Sequence, residues 1–374
     1  MENLAHTLFG LALAKAGLER TTPLATTALI ISSNLPDIDV VMRVRGLTAY
    51  LEHHRGITHS LVGLAVLAAV LAFLLAYIDR KFGQRRDPFR RPVRPARLFW
   101  VSLLGGLGHL FMDFTNTYGV RPLLPFSSRW YYGDLAFIAD PWPWLILGSG
   151  SVWLTTNAAA RANSRVALRA IFWLALAVLT SLPVALAFRN TDGAEMSIPT
   201  TSRVIWFAGL AVVVAGAVLG WGRAGARLAR YSLLLLALYY GGLWAAHQSA
   251  KERADDDLPS ETAKALAAWP TPANPLAWQL VAGDNNFFYT RYLALGGAAH
   301  DWREMAAPDP DLVRELRQWE DARKFLDFAR FTTVTEESRE DEHRVLFRDL
   351  RFPLQMSVAL DRDRTVKSVD VRWF

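Results

Sequence analysis

The chain has 374 residues, a formal net charge of +6, 52% hydrophobic residues and no cysteine. The missing cysteine excludes disulfides and thiolate metal sites. The basic excess lies mostly in short loops between apolar runs, which points to membrane orientation and away from nucleic acid.

The length suits two domains, and composition divides the chain at about residue 248. Residues 1–248 hold nearly all the long apolar runs and are expected to be membrane-embedded. Residues 249–374 are charged throughout and are expected to form a soluble domain.

In chain order, Leu4–Gly17 and Leu24–Leu35 are apolar but short, and are expected to form a helical hairpin packed against longer helices. No basic stretch precedes the first of them, so a cleavable signal peptide is not expected. Ser60–Ile78 meets the spanning length of roughly 18 residues. Leu98–Phe111 does so only if the end carrying His109 and Asp113 is counted. Trp142–Thr155 follows a Pro-Trp-Pro-Trp cluster that suits an aromatic belt. Ala170–Phe188 and Val204–Trp221 are long enough to span, and Tyr231–Ala246 is shorter but uninterrupted. The expected fold is an all-α polytopic membrane bundle of about eight helices, some of them short, followed by a small α+β domain.

In that domain Lys251–Pro275 is expected to be a linker with one short helix. Leu276–Ala282 and Asn286–Leu295 should pair as a hairpin around Gly283-Asp284-Asn285. Asp311–Ala329 has helical spacing, and Arg344–Phe352, Gln355–Leu360 and Thr365–Trp373 have strand character.

Loop charge gives an orientation. The run Asp79–Arg97 carries Arg80, Lys81, Arg85, Arg86, Arg90, Arg91, Arg94 and Arg97, so it is expected on the cytoplasmic side. Alternation then puts the loops bearing Lys15 and Arg20, Arg161 to Arg169, and Arg223 to Arg230 on the same side. The soluble domain falls outside the cytoplasm. So do the helix ends bearing His6, Asp37, Asp39, His54, His59, His109 and Asp113. Carboxylates and imidazoles are costly near a bilayer core, and their gathering in one leaflet marks a functional site.

Imidazole with carboxylate is a ligand set for hydrolytic zinc or manganese. His109 and Asp113 are spaced i,i+4 and share one helix face. Asp37 and Asp39 follow Pro36; either could ligate while the other orients an imidazole. His54 and His59 flank Gly56, which permits a tight turn. The metal-ligand candidates are therefore His6, Asp39, His54, His59, His109 and Asp113. Such a set leaves an open position for a water that loses its proton near neutral pH. Arg55 and Arg121 are candidates for clamping an anionic group. Asp37 or Asp39 is the candidate ligand or base. Asp134 and Asp140 come from the next outer loop and could serve a second metal or a base.

His6, Leu35-Pro36-Asp37-Ile38-Asp39, His54-Arg55-Gly56-Ile57-Thr58-His59-Ser60 and Gly108-His109 followed by Asp113 resemble the YdjM-like family over roughly residues 1–150. These are bacterial inner-membrane metal-dependent hydrolases, also described as LexA-binding. The resemblance implies a class of activity and no particular substrate. The order of ligands is also similar to that of zinc-dependent phospholipase C and the single-strand nucleases. The later His and Glu ligands of that pattern have no match here. The likeness implies one or two ions, zinc or manganese, and a phosphoester substrate such as a phospholipid.

The expected protein is thus a multi-pass inner-membrane enzyme, a metal-dependent hydrolase acting on an ester at the outer leaflet, with membrane lipids as partners. The rival classes are an ion- or proton-coupled transporter and a non-catalytic interaction protein.

Overall fold

The structure, a computed structural model, describes residues 3–83, 91–155, 164–186, 198–284, 286–297, 300–339, 342–361 and 365–373. The chain forms two compact units. One comprises residues 1–36, 57–246 and 270–275, and the other residues 37–56, 247–269 and 276–374.

The first unit is helical. Its helices are α1 (Asn3–Lys15), α2 (Ala25–Ser32), α4 (Leu61–Ile78), α5 (Pro95–Phe114), α6 (Pro141–Thr155), α7 (Ser164–Leu186), α8 (Thr200–Leu219) and most of α9 (Ala226–Asp255). Small residues set how closely they approach. A side chain on Gly10 of α1 would stand 2.8 Å from the Leu29 carbonyl oxygen, and one on Gly105 of α5 would stand 2.1 Å from Ser32 Oγ. Both glycines therefore press onto α2, the packing device expected where no hydrophobic force separates helix from lipid. Beneath them Ala14, Ala25, Ala28, Leu29, Leu71, Ala72, Leu75, Leu98 and Val101 form one buried cluster.

The expected spans are met in part. Among the described residues, Leu61–Gly83 and Thr200–Leu219 are long and apolar enough to cross a bilayer, and Phe172–Leu182 is a shorter apolar stretch. The spanning helices keep large apolar side chains on the outside, such as Phe73 at 74% exposure and Val218 at 62%. At 1.5 Å per residue, α1 and α2 are only about 20 Å and 12 Å long against a core of about 30 Å. They form the expected short hairpin and pack on α5. The Arg161 loop and part of the basic run after Gly83 lie outside the described residues.

The second unit holds two four-stranded sheets, apart from residues 270–275 at the connection between the first two strands. Their strand orders are β1 (Lys264–Thr271), β2 (Asn274–Gly283), β3 (Phe287–Ala294), β4 (Arg303–Ala306), and β5 (Thr332–Arg339), β6 (Glu342–Asp349), β7 (Leu354–Leu360), β8 (Val366–Trp373). Pairing is antiparallel. The expected hairpin appears with Ala277 opposite Ala294 and Gly283 opposite Phe288. The stretch expected as a linker with one short helix contains the end of the long helix α9 and, unexpectedly, strand β1. Its consecutive residues Ala267, Ala268 and Trp269 are all buried, so the strand shows no alternation that the sequence could have betrayed. The expected single helix over 311–329 is two, α10 (Pro310–Leu316) and α11 (Glu320–Phe328), divided at Trp319, whose extended backbone precedes the second.

A short helix distant in sequence, α3 (Leu47–His53), belongs to this unit. Its Thr48 hydroxyl donates to Asp321 at 2.5 Å, and its Glu52 faces Arg323 and Lys324 of α11.

Candidate metal centre

Four of the sequence candidates meet inside the first unit: His6, His59, His109 and Asp113. Each has 0% exposure. His109 and Asp113 sit one turn apart near the end of α5, as their spacing requires. His6 is carried on α1, and the close contact of Gly10 and Gly105 with α2 lets α1 stack its imidazole on His109. The ring centroids are 3.9 Å apart at 27°.

His59 arrives from a 3-10 turn, Ile57–His59, folded over the start of α4. Two features build that turn. Ser60 Oγ accepts the Gly63 amide at 2.9 Å, an N-cap. A side chain at Gly63 would stand 1.8 Å from the Ile57 carbonyl oxygen, so only glycine admits the fold-back. The left-handed residue in this motif is Arg55, at φ +55°, and not the expected Gly56.

Around Asp113 the distances are short and nearly equal. Its Oδ2 lies 3.4 Å from His59 Nε2 and 3.4 Å from His109 Nε2, and the two Nε2 atoms are 3.1 Å apart. Asp113 Oδ1 faces His6 Nε2 at 3.3 Å.

The protonation of His109 follows from its other nitrogen. Nδ1 lies 2.8 Å from the Ser33 carbonyl oxygen. A carbonyl only accepts, so Nδ1 carries a proton, and in the neutral ring it is Nε2 that has the lone pair. That lone pair, the Asp113 carboxylate and the His59 imidazole converge on one point and repel unless a proton or cation lies among them. A tetrahedral zinc site with bonds of about 2.1 Å has ligand-to-ligand edges of about 3.4 Å. The three atoms fit that edge length. Burial, helped by the repulsion of His109, holds His6 neutral with its pKa lowered to about 3, the bond to Asp113 opposing the shift.

The second unit gathers Asp37, Asp39 and His54, whose donor atoms lie within 4.8 Å of one another. Asp37 and Asp39 are on the 3-10 stretch Leu35–Arg45. Asp39 Oδ1 is 2.7 Å from His54 Nδ1, and Asp39 Oδ2 accepts the Arg55 amide at 3.0 Å. The left-handed turn at Arg55 aims that amide inward, and Arg55 itself is buried. Tyr50 stacks on His54 with centroids 4.6 Å apart. Burial, and then the charge of Asp39, push the Tyr50 hydroxyl up to about 12.

The remaining candidates stand elsewhere in the first unit. The Arg121 guanidinium lies over the Trp130 ring, 4.5 Å from its centroid. Asp134 is buried with a left-handed backbone. Asp140 caps α6 by accepting the Trp142 amide, and takes a 2.6 Å hydrogen bond from the Tyr239 hydroxyl of α9. Sequence reasoning missed the Ser33 carbonyl and Tyr50. A backbone acceptor leaves no side-chain signal, and a tyrosine near membrane runs reads as an interfacial residue.

Comparison with known proteins gives the same segment. A family model described as YdjM inner membrane protein matches residues 1–191. The uncharacterized protein YfhP of Bacillus subtilis (strain 168) is 29% identical over 114 residues, covering 30% of this chain and 32% of that protein. The chain thus matches about a third of that relative's length. No solved structure matches it.

Proposed function

The chain belongs to the YdjM family of inner membrane proteins, and from that premise we propose that it is a multi-pass membrane hydrolase that holds a divalent cation in its first unit. The observation that carries this reading is the triangle of His59 Nε2, His109 Nε2 and Asp113 Oδ2, with edges of 3.1–3.4 Å in a site closed to solvent. Two imidazoles and a carboxylate converge there, a donor set that suits a divalent cation.

Zinc is the proposed ion, with manganese the alternative, since two imidazoles and a carboxylate suit either. When bound, such a cation supplies Lewis acidity and lowers the pKa of a water to near neutrality. The chain's own residues do the rest. The Ser33 carbonyl holds His109 in the tautomer that offers Nε2. His6 donates to Asp113 Oδ1 and turns Oδ2 toward the histidines. Arg121, in the same unit, is the proposed clamp for an anionic ester such as a phospholipid headgroup.

The proposed topology has more passes than the two clear spans. Exposed apolar residues Tyr231, Leu234, Leu235 and Leu238 line one face of α9 and suit contact with lipid. The basic loops are proposed to be cytoplasmic and the C-terminal domain extracytoplasmic.

The test is elemental analysis of the purified full-length protein, followed by phosphodiester and phospholipid hydrolysis with and without chelator. Stoichiometric zinc or manganese and chelator-sensitive hydrolysis are expected. Protein that neither contains nor takes up either ion would overturn the reading.

A further inference from the structure

A second feature of the first unit has no part in the metal centre. Helices α1, α6, α7 and α8 enclose a groove of about 610 Å³. Its walls are apolar, and the polar atoms on them are already used. Ser149 Oγ donates to the Ile146 carbonyl and Thr180 Oγ1 to the Leu176 carbonyl. Trp173 Nε1 donates to Thr155 Oγ1 and Trp206 Nε1 to Ser181 Oγ. Lining groups that have met their own hydrogen-bonding needs leave little to hold a polar ligand, and a dry apolar space takes an aliphatic one.

Length narrows the occupant. The groove follows α8 from Trp206 to Val218, a distance of about 18 Å at 1.5 Å per residue. One leaflet of hydrocarbon is about 15 Å deep. Because α8 is one of the two clear spans, the groove runs alongside bilayer hydrocarbon for about the depth of a single leaflet. A tryptophan pair stands at each end. Trp144 and Trp206 have centroids 6.4 Å apart, and Trp153 and Trp221 have centroids 5.0 Å apart.

The groove also adjoins the candidate site through one helix. Leu4 and Leu8, spaced i,i+4 on α1, line the groove. His6 lies between them in sequence and reaches Asp113. Residues two apart on a helix point to nearly opposite sides, so α1 is the wall shared by groove and metal centre.

We propose that this groove binds one acyl chain of a membrane glycerolipid. The proposal rests on the hydrolase reading only in making that lipid the substrate; as a binding site it stands on the groove alone.

Gly148 supplies the test. A side chain there would meet nothing closer than Leu8 Cδ1 at 3.9 Å, so the fold admits one and it would enter the groove. Full-length protein in nanodiscs of phosphatidylethanolamine and phosphatidylglycerol, doped with phosphatidylglycerol bearing a diazirine in one acyl chain, is irradiated and its adducts mapped by mass spectrometry. Adducts should saturate with probe and concentrate on Gly148–Val152 and Trp206–Val218. Gly148→Phe should lower them about tenfold, as overfilling a formed cavity does, and leave labelling around Phe73 on α4 unchanged. Ala177→Leu, on the facing wall, is the second variant should Gly148→Phe not fold.

Labelling spread evenly over α4 and α8 and unmoved by either variant means annular lipid and overturns the proposal. Metal content measured on the same samples separates the two readings. Groove labelling without metal removes the hydrolase alone, and metal without groove labelling removes the acyl site alone.

Discussion

Each unit buries a carboxylate completely, and they neutralise it by opposite means. In the second unit Asp349 is met by Arg351. The guanidinium gives it hydrogen bonds of 2.6–3.1 Å, the Arg351 amide adds another at 2.9 Å, and both side chains have 0% exposure. The same guanidinium donates to the Phe328 carbonyl and lies over the Phe328 and Phe352 rings. In the first unit Asp113 is ringed by His6, His59 and His109. An arginine is a permanent cation and locks a structure. Imidazoles are neutral or charged as conditions dictate and present lone pairs. The contrast teaches that full burial of a carboxylate is not by itself a functional sign. What distinguishes Asp113 is that the groups ringing it are imidazoles, which can take up a proton or a cation.

The largest expected effect would erase that difference. Asp113→Ala or His59→Ala should lower zinc affinity by roughly a thousandfold or more, because about 10–16 kcal/mol of binding is shared among a few ligands. Competition with a chromogenic chelator reads the change, and normal membrane insertion shows that the fold survives. Unchanged affinity in both variants would dissolve the comparison.

Next, Arg351→Ala strands the Asp349 carboxylate. A loss of about 3–5 kcal/mol is expected, read by denaturant unfolding followed through tryptophan emission. Metal content should not move. If it falls as well, the two carboxylates are coupled and the contrast between them is false.

His6→Ala removes the donor that orients Asp113 while leaving the triangle intact. Metal affinity should fall about 10- to 100-fold, less than for His59→Ala.

Acid provides a milder probe. The folded pKa of His6, about 3, lies below its ordinary 6.5. The neutral imidazole therefore contributes stability that is full above pH 6.5 and lost as pH falls toward 3. Metal-free protein should lose stability across that window, and His6→Gln should flatten the loss.

The smallest effect belongs to an exposed pair. Glu52→Ala removes contacts with Arg323 and Lys324 and should cost less than about 1 kcal/mol. That sets the scale against which the buried pairs count.

Much of the candidate centre was legible. His109 and Asp113 announce themselves by i,i+4 spacing on an apolar helix, and the glycine and histidine motif before Ser60 marks a turn into a helix. The orientation argument placed His6, His59, His109 and Asp113 at one set of helix ends, and all four meet in the structure. The partition of the motif was not legible. His54 and His59 lie five residues apart, yet His54 joins Asp39 while His59 joins Asp113, because the chain reverses at Arg55 and passes from one unit to the other. Nor could spacing reveal that Leu47–His53 packs with Glu320–Phe328, since that contact joins segments more than 250 residues apart.

By itself the sequence determined which segments are apolar and which residues carry imidazole or carboxylate, because these depend on residue type and local period. Tertiary structure alone decided which of those groups face one another. Gly10, Gly63 and Gly105 permit approaches that place His6, His59 and His109 around a single carboxylate. The Ser33 carbonyl then fixes which nitrogen of His109 is offered. Convergence within 3.4 Å is a property of helix packing, and packing is set by pairs of surfaces that no single stretch of chain contains.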